Sequence, residues 1–333
     1  MTVLAPEWLW TPDGLRTGWA LQIGPTGDIL QLLAPDRHSR SGGPHADAVR
    51  LPGRLMLPAM VNAHSHAFQR AFRGHVQWRT DGADTFWTWR DRMYAVAGRL
   101  SPEGLEAIAR LAFVEMAEAG IGTVGEFHYV HHQPDGTRYA DPDELARRVI
   151  AAADAVGIRI VLLRVVYGRA GPGAVLRPDQ LRFGDRSPDE PLAALERLAG
   201  VAPVGLAPHS VRAVPPEWLP DLAGWGGPVH AHVSEQRAEN RTCLEENGAS
   251  PLATFARAGL VTRRFSAVHL TFPMDGDLDL LTAADANVVV CPSTEMDLGD
   301  GFLPVDVRER ARLCIGSDSH ARIDPWAEIR DLE

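Results

Sequence analysis

An apolar run, a polar junction and an amphipathic stretch recur along most of this chain, and that alternation constrains the fold more than any other feature. Short strand-like runs fall at 123–127, 158–166, 204–207, 229–233, 266–270, 287–291 and 313–318, and a buried strand restarting at 55–61 makes eight. Stretches with helical periodicity lie between them at 102–119, 142–156, 188–199 and 278–284. Pro at their starts and Gly157 or Gly200 after their ends fit helix punctuation. Eight βα repeats predict a (β/α)8 TIM-like barrel over residues 55–333. Residues 1–54 read differently, as short β segments at 19–23 and 29–33 joined by a turn at Pro25-Thr-Gly27-Asp and followed by a Gly42-Gly-Pro44 loop: the N-terminal part of a small β domain. The stretch 67–99 is too long for a simple connection and carries Trp78, Phe86, Trp87, Trp89 and Tyr94, so it reads as a lid-like insertion over the barrel mouth.

Composition narrows the partners. Lys+Arg 33 against Asp+Glu 43 leaves −10, with no basic run, which argues against nucleic-acid binding. No apolar segment reaches about 18 residues and the N-terminus has no signal-like pattern, so no membrane partner and a cytoplasmic location are expected. Cys243, Cys291 and Cys314 are scattered and odd in number, which predicts reduced thiols rather than a disulfide framework.

The residues able to do chemistry gather at the carboxyl ends of the predicted strands, where barrel enzymes carry their sites. His64 and His66 are two apart and share one face of a strand. A His-x-His pair alone is weak, since 13 His in 333 residues give about 0.5 such pairs by chance. Joined to His232 and Asp318 it becomes three nitrogen donors and a carboxylate, a set suited to one divalent metal, Zn2+ or Fe2+, with a position left for water. Residues 230 and 232 are both His and both are expected to face the barrel interior; the later one is nearer the strand end and is preferred, with His230 packed more deeply. Glu235, three residues on, is placed to relay a proton from water to a leaving nitrogen, although it also opens a polar run that a solvated helix start would explain. His269 ends the next strand, as a catalytic group or as a packed core histidine. His128, His131 and His132 read as loop residues rather than a second metal site.

Pro58-Ala-Met-Val-Asn-Ala-His64-Ser-His66-Ala-Phe-Gln69-Arg, His232-x-x-Glu235, His269 and Gly316-Ser-Asp318-Ser together resemble the amidohydrolase superfamily in its deaminase branch. Phe86-Trp-Thr-Trp-Arg90, Gly125-Glu-Phe-His-Tyr129-Val-His-His and Ala207-Pro-His209-Ser-Val-Arg212-Ala-Val resemble, more narrowly, the formimidoylglutamate deiminase family of histidine breakdown. That resemblance implies one zinc on His64, His66, His232 and Asp318. It implies Glu235, His269 and Asp318 in catalysis, and Gln69, Arg90, Tyr129, His209 and Arg212 around the substrate. The implied reaction is hydrolytic deimination of N-formimino-L-glutamate to N-formyl-L-glutamate and ammonia, by a homodimer. Two planar guanidinium forks match a dicarboxylate, which a nucleobase would not require. The alternatives are a nucleobase or aminoheterocycle deaminase with the same metal centre, and an inactive metal-binding fragment. The last follows from the expectation that the chain is truncated after the eighth strand and leaves its β domain incomplete. His320 also departs from the Asn of the family pattern.

Overall fold

The computed structural model describes residues 1–35, 48–77 and 86–333, and these fall into two units, Met1–Ala59 and Met60–Glu333. The Gly42–Pro44 loop and Trp78 lie outside the described residues. In the first unit, β1 (Thr2–Thr11) pairs antiparallel with β2 (Gly14–Thr17) and β3 (Ala20–Ile23), β3 pairs with β4 (Ile29–Leu33), and β5 (Val49–Met56) joins β1 in parallel. Gly14, at φ 97°, supplies the left-handed backbone that the tight turn between β1 and β2 needs. Leu55 and Met56 complete β5 and do not begin the first barrel strand, as their apolar character had suggested. The next strand starts at Met60, after Pro58.

The second unit is the predicted barrel. Its strands are β6 (Met60–Ser65), β7 (Ile121–His128), β8 (Arg159–Val166), β9 (Val204–Pro208), β10 (Val229–Val233), β11 (Phe265–His269), β12 (Asn287–Val290) and β13 (Arg312–Ile315), hydrogen-bonded in chain order. Every adjacent pair is parallel. The ring is completed just beyond β6 and β13, where His66 N donates to Asp318 O (3.1 Å) and Asp318 N to His64 O (3.0 Å). Asn62 ties the same seam by donating to Ser317 Oγ (2.7 Å) and accepting from Ser317 N (3.0 Å). Gly316 is required at this seam, because a Cβ there would lie 2.8 Å from His64 Cβ and 2.9 Å from His64 O.

Helices cover the outside for reasons written in their sequences. Pro102–Glu118 begins with Ser101 Oγ accepting from Gly104 N, and it buries Leu105, Ala109, Ala112, Phe113 and Met116 along one stripe. Glu144–Val156 stops at Gly157, whose φ of 84° provides a left-handed cap. Alternation sorts the strand residues. Val229, Ala231 and Val233 pack outward in the apolar layer that also holds Leu252 and Phe255 from a covering helix, which leaves His230 and His232 to the interior. On β11, Phe265 and Ala267 face outward, whereas Val268 packs inside with Val289 and Cys291. The insertion at 67–99 contributes a 3-10 turn, Ala67–Phe72, and a helix, Phe86–Ala97. Among the described residues no helix is long and apolar enough to cross a membrane, and all three cysteines are free thiols.

Candidate metal centre and substrate cavity

Four ligand atoms, one each from His64, His66, His232 and Asp318, lie within 4.8 Å of one another, and all four residues are buried. His64 Nε2 is 3.1 Å from His66 Nε2, and Asp318 Oδ1 is 3.4 Å from the first and 3.2 Å from the second. Donors about 2.1 Å from a tetrahedral ion stand roughly 3.4 Å apart, so the spacing is that of a cradle around one cation. The backbone sets which nitrogens point inward. His66 Nδ1 lies 3.0 Å from Phe127 O and His232 Nδ1 2.9 Å from His209 O. A carbonyl only accepts, so each Nδ1 carries the proton and each Nε2 presents a lone pair to the centre. Burial pushes the His64 imidazole down to about 4 and the His232 imidazole well below its ordinary value, keeping both neutral as ligands. Burial alone would raise the Asp318 carboxyl, but its close contacts with His64 and His66 hold it well below the carboxylate range. His230, the alternative on β10, is outside this group; burial drops it to about 3.

The turns that aim these side chains are strained. Among the described residues six non-glycine positions have positive φ, and five cluster at the barrel mouth: Ser234 (51°), His269 (72°), Leu270 (51°), Asp318 (44°) and His320 (58°). The consequence is clearest at His269. Strand alternation would send it outward with Phe265 and Ala267; the left-handed backbone turns it back to line the cavity. There His269 Nε2 is 3.8 Å from Glu235 Oε1 and 3.9 Å from Asp318 Oδ2, while Nδ1 is 3.2 Å from Glu295 Oε1. Burial lowers the His269 pKa, but Glu295, Glu235 and Asp318 outweigh it and lift the value to about 10. Ser234 likewise turns the chain so that Glu235 faces the cavity.

That cavity holds about 620 Å³ of atom-free space, part of it open to solvent, and runs from the cradle past Glu235 and His269. All five residues assigned to substrate from the sequence line it: Gln69, Arg90, Tyr129, His209 and Arg212. Gln69 donates to the Tyr129 hydroxyl (2.9 Å). Arg212 donates to Glu235 Oε2 (2.7 Å), an ion pair between two residues that had been given separate roles. Burial works against the Arg212 charge, but Glu239 and Glu235 hold it protonated. Arg90 stacks its guanidinium over Trp87 (4.6 Å), and its buried Nε has no hydrogen-bond partner; no acid among the described residues pairs with it. Sequence reasoning missed Tyr167, which also lines the cavity and whose hydroxyl accepts from Gln180 (2.9 Å), and Glu295 behind His269. Tyr167 lies just past the end of β8, a position that could have flagged it. Nothing local in Cys291-Pro-Ser-Thr-Glu295 ties Glu295 to His269. His269, Cys291 and Glu295 also bring donor atoms together, but Glu295 Oε1 is already taken by His269 Nδ1 and Cys291 N.

A parallel barrel with a buried three-histidine, one-aspartate cradle at its carboxyl end is the frame of a metal-dependent hydrolase. The chain belongs to the amidohydrolase family, whose model matches residues 55–333. It is 37% identical to the formimidoylglutamate deiminase of Pseudomonas aeruginosa, over 100% of this chain and 74% of that one. It is 28% identical to a 5-methylthioadenosine/S-adenosylhomocysteine deaminase of Natronomonas pharaonis, over 99% and 70%. Among solved structures, an amidohydrolase from Brucella melitensis superposes with a TM-score of 0.89 at 35% identity, covering 100% of this chain and 75% of the other. An adenosine deaminase from Xanthomonas campestris with bound zinc shares the fold, with a TM-score of 0.79 at 23% identity over 99% and 72%.

Proposed function

We propose that the protein hydrolyses N-formimino-L-glutamate to N-formyl-L-glutamate and ammonia. The observation that carries this reading is the pairing, within one cavity, of the cation cradle with two guanidinium groups, of which Arg90 has no acidic partner among the described residues. A half-buried guanidinium with no acid beside it is open to a ligand anion, and a dicarboxylate amidine offers one carboxylate to Arg90 and one to Arg212. The 37% identity to the Pseudomonas deiminase points the same way.

His64, His66, His232 and Asp318 would hold a divalent metal, proposed as zinc because three imidazoles and one carboxylate suit that ion. Such a cation supplies Lewis acidity, which makes water a nucleophile near neutral pH. The remaining steps fall to the chain. Glu235 carries both protons of the attacking water to the amidine =NH nitrogen, one as the oxygen adds to the carbon and the second from the resulting hydroxyl, so that the C–N bond breaks, ammonia leaves and the carbon becomes a formyl group. His269, between Glu235 and Asp318, steadies charge building at that carbon's substituents. Tyr129, Gln69 and His209 orient the chain of the substrate between the cradle and the arginines. The same proposal includes a cytoplasmic homodimer, which fractionation and light scattering test.

The deciding experiment measures ammonia release from formimino-glutamate, from guanine and from 5-methylthioadenosine by the metal-loaded chain, with metal content determined on the same sample. Turnover of formimino-glutamate alone is expected. Turnover of either aminoheterocycle in preference to it sinks the reading.

A further inference from the structure

We infer that Glu295 is a positioning residue for the reaction, fixing the ring of His269 by accepting its Nδ1 proton so that Nε2 faces Glu235 in the cavity; this rests on the proposed hydrolysis. Two observations converge. His269 stands on backbone at φ 72°, followed by Leu270 at 51°, so the strand itself does not aim the ring. A side chain turned against strand alternation needs something to hold it. Glu295 is the group behind the ring, 3% exposed, with Oε1 3.2 Å from His269 Nδ1.

Glu295 is itself locked. It lies on the helix Pro292–Leu298 and its Oε1 also accepts from Cys291 N (2.9 Å), the residue capping that helix. The helix start therefore fixes the carboxylate, and the carboxylate fixes the imidazole. With Nδ1–H committed to Glu295, Nε2 is the nitrogen left to exchange a proton or hydrogen bond 3.8 Å from Glu235 Oε1. A helix cap alone would account for the bond to Cys291 N but not for the one to His269.

The test uses metal-loaded wild type, Glu295→Ala, Glu295→Gln, His269→Asn and the double variant His269→Asn/Glu295→Ala. Glu295→Ala should lower kcat by about 10–100-fold, the range for losing a group that orients a working side chain. KM should stay within about threefold and one metal per chain should remain. Glu295→Gln keeps an acceptor at Oε1 and should recover most of the rate. In the His269→Asn background the Glu295→Ala change should cost less than about twofold, because the two act as a unit. A downfield imidazole N–H proton resonance present in wild type should be missing from both His269→Asn and Glu295→Ala. Wild-type kcat in Glu295→Ala, a full second loss in the double variant, or persistence of that resonance in Glu295→Ala overturns the inference. Should Glu295→Ala fail to fold, the resonance and rate of Glu295→Gln decide, a rate loss in Gln as deep as in His269→Asn counting against it. If wild type releases no ammonia from formimino-glutamate, the functional reading falls, and the resonance still decides whether Glu295 holds the ring.

Discussion

Two clusters of buried histidines lie in the barrel unit, and only one is built for a metal. His64, His66 and His232 converge on Asp318. His128, His131 and His132, at the end of β7 and just beyond, gather instead around arginine: Arg164 Nη1 is 2.6 Å from His131 Nε2, and Arg164 is paired with Asp185 (2.6 Å). Arg182, fully buried, donates to the carbonyls of Ala97, Leu100 and His132. Burial comes first in lowering His64 and His232 in the cradle and His128, His131 and His132 in the other cluster, where Arg164 adds to it and His128 falls to about 3 and His132 to about 4. Neutral imidazoles are therefore common to both. What separates them is the fourth group: a carboxylate completes a cation cradle, and a guanidinium repels the cation.

The sharpest way to break that comparison is to exchange the fourth group. Asp318→Ala should empty the cradle and bring ammonia release below detection, a larger loss of metal affinity than the roughly 10–100-fold cost of an outer partner. His131→Asn should leave the metal content at one per chain. Elemental analysis of the two purified variants checks both, and metal lost from His131→Asn would place the ion in the wrong cluster. Next in size, Glu235→Gln should keep its metal and lose about 10²–10⁴-fold in kcat with little change in KM, the cost of a missing acid–base group; steady-state kinetics decides. On the other side, Arg164→Ala leaves Asp185 buried without its partner and should cost about 3–5 kcal/mol of stability. Urea unfolding reads it, and a change below about 1 kcal/mol would contradict the structural role of that cluster.

Which parts of this were legible beforehand follows from what each signal requires. The barrel announces itself because βα alternation is a property of residue order, and His232 could be preferred over His230 because position along a strand maps onto depth. The start of β6 was misplaced because Leu55 and Met56 are as apolar as the strand that follows, and only pairing with β1 tells the two apart. His269 was found, but its aim could not be: its identity carries no trace of a positive φ, and alternation predicts the opposite face. Glu295 and the Arg212–Glu235 pair depend on contacts between residues 26 and 23 positions apart, which no local pattern encodes.

That ion pair separates the two arginines of the cavity. Arg212 is tied to Glu235, so Arg212→Ala should depress kcat and raise KM together. Arg90 touches no acid among the described residues, so Arg90→Ala should raise KM for formimino-glutamate by about 10–100-fold with kcat nearly unchanged, the worth of one charged hydrogen bond to substrate. An equal KM effect on a formimino-alkylamine that carries no carboxylate would show that Arg90 does not read one.

The smallest effect concerns acid, and it returns to the arginine-bound cluster. His128 is fully buried with Nε2 unpartnered, and its folded pKa of about 3 lies below the 6.5 of an unfolded histidine. Between those values the unfolded chain binds the extra proton, so stability contributed by keeping His128 neutral is complete above pH 6.5 and drains away as pH falls toward 3. The slope is at most about 1.4 kcal/mol per pH unit for one histidine. Urea midpoints at pH 7, 6, 5 and 4 should therefore fall less steeply in His128→Asn than in wild type, although the variant starts lower because it loses packing at β7. Parallel slopes in the two proteins would mean that His128 is already protonated in the fold, and the contrast between a guanidinium-lined and a carboxylate-lined histidine cluster would lose its physical basis.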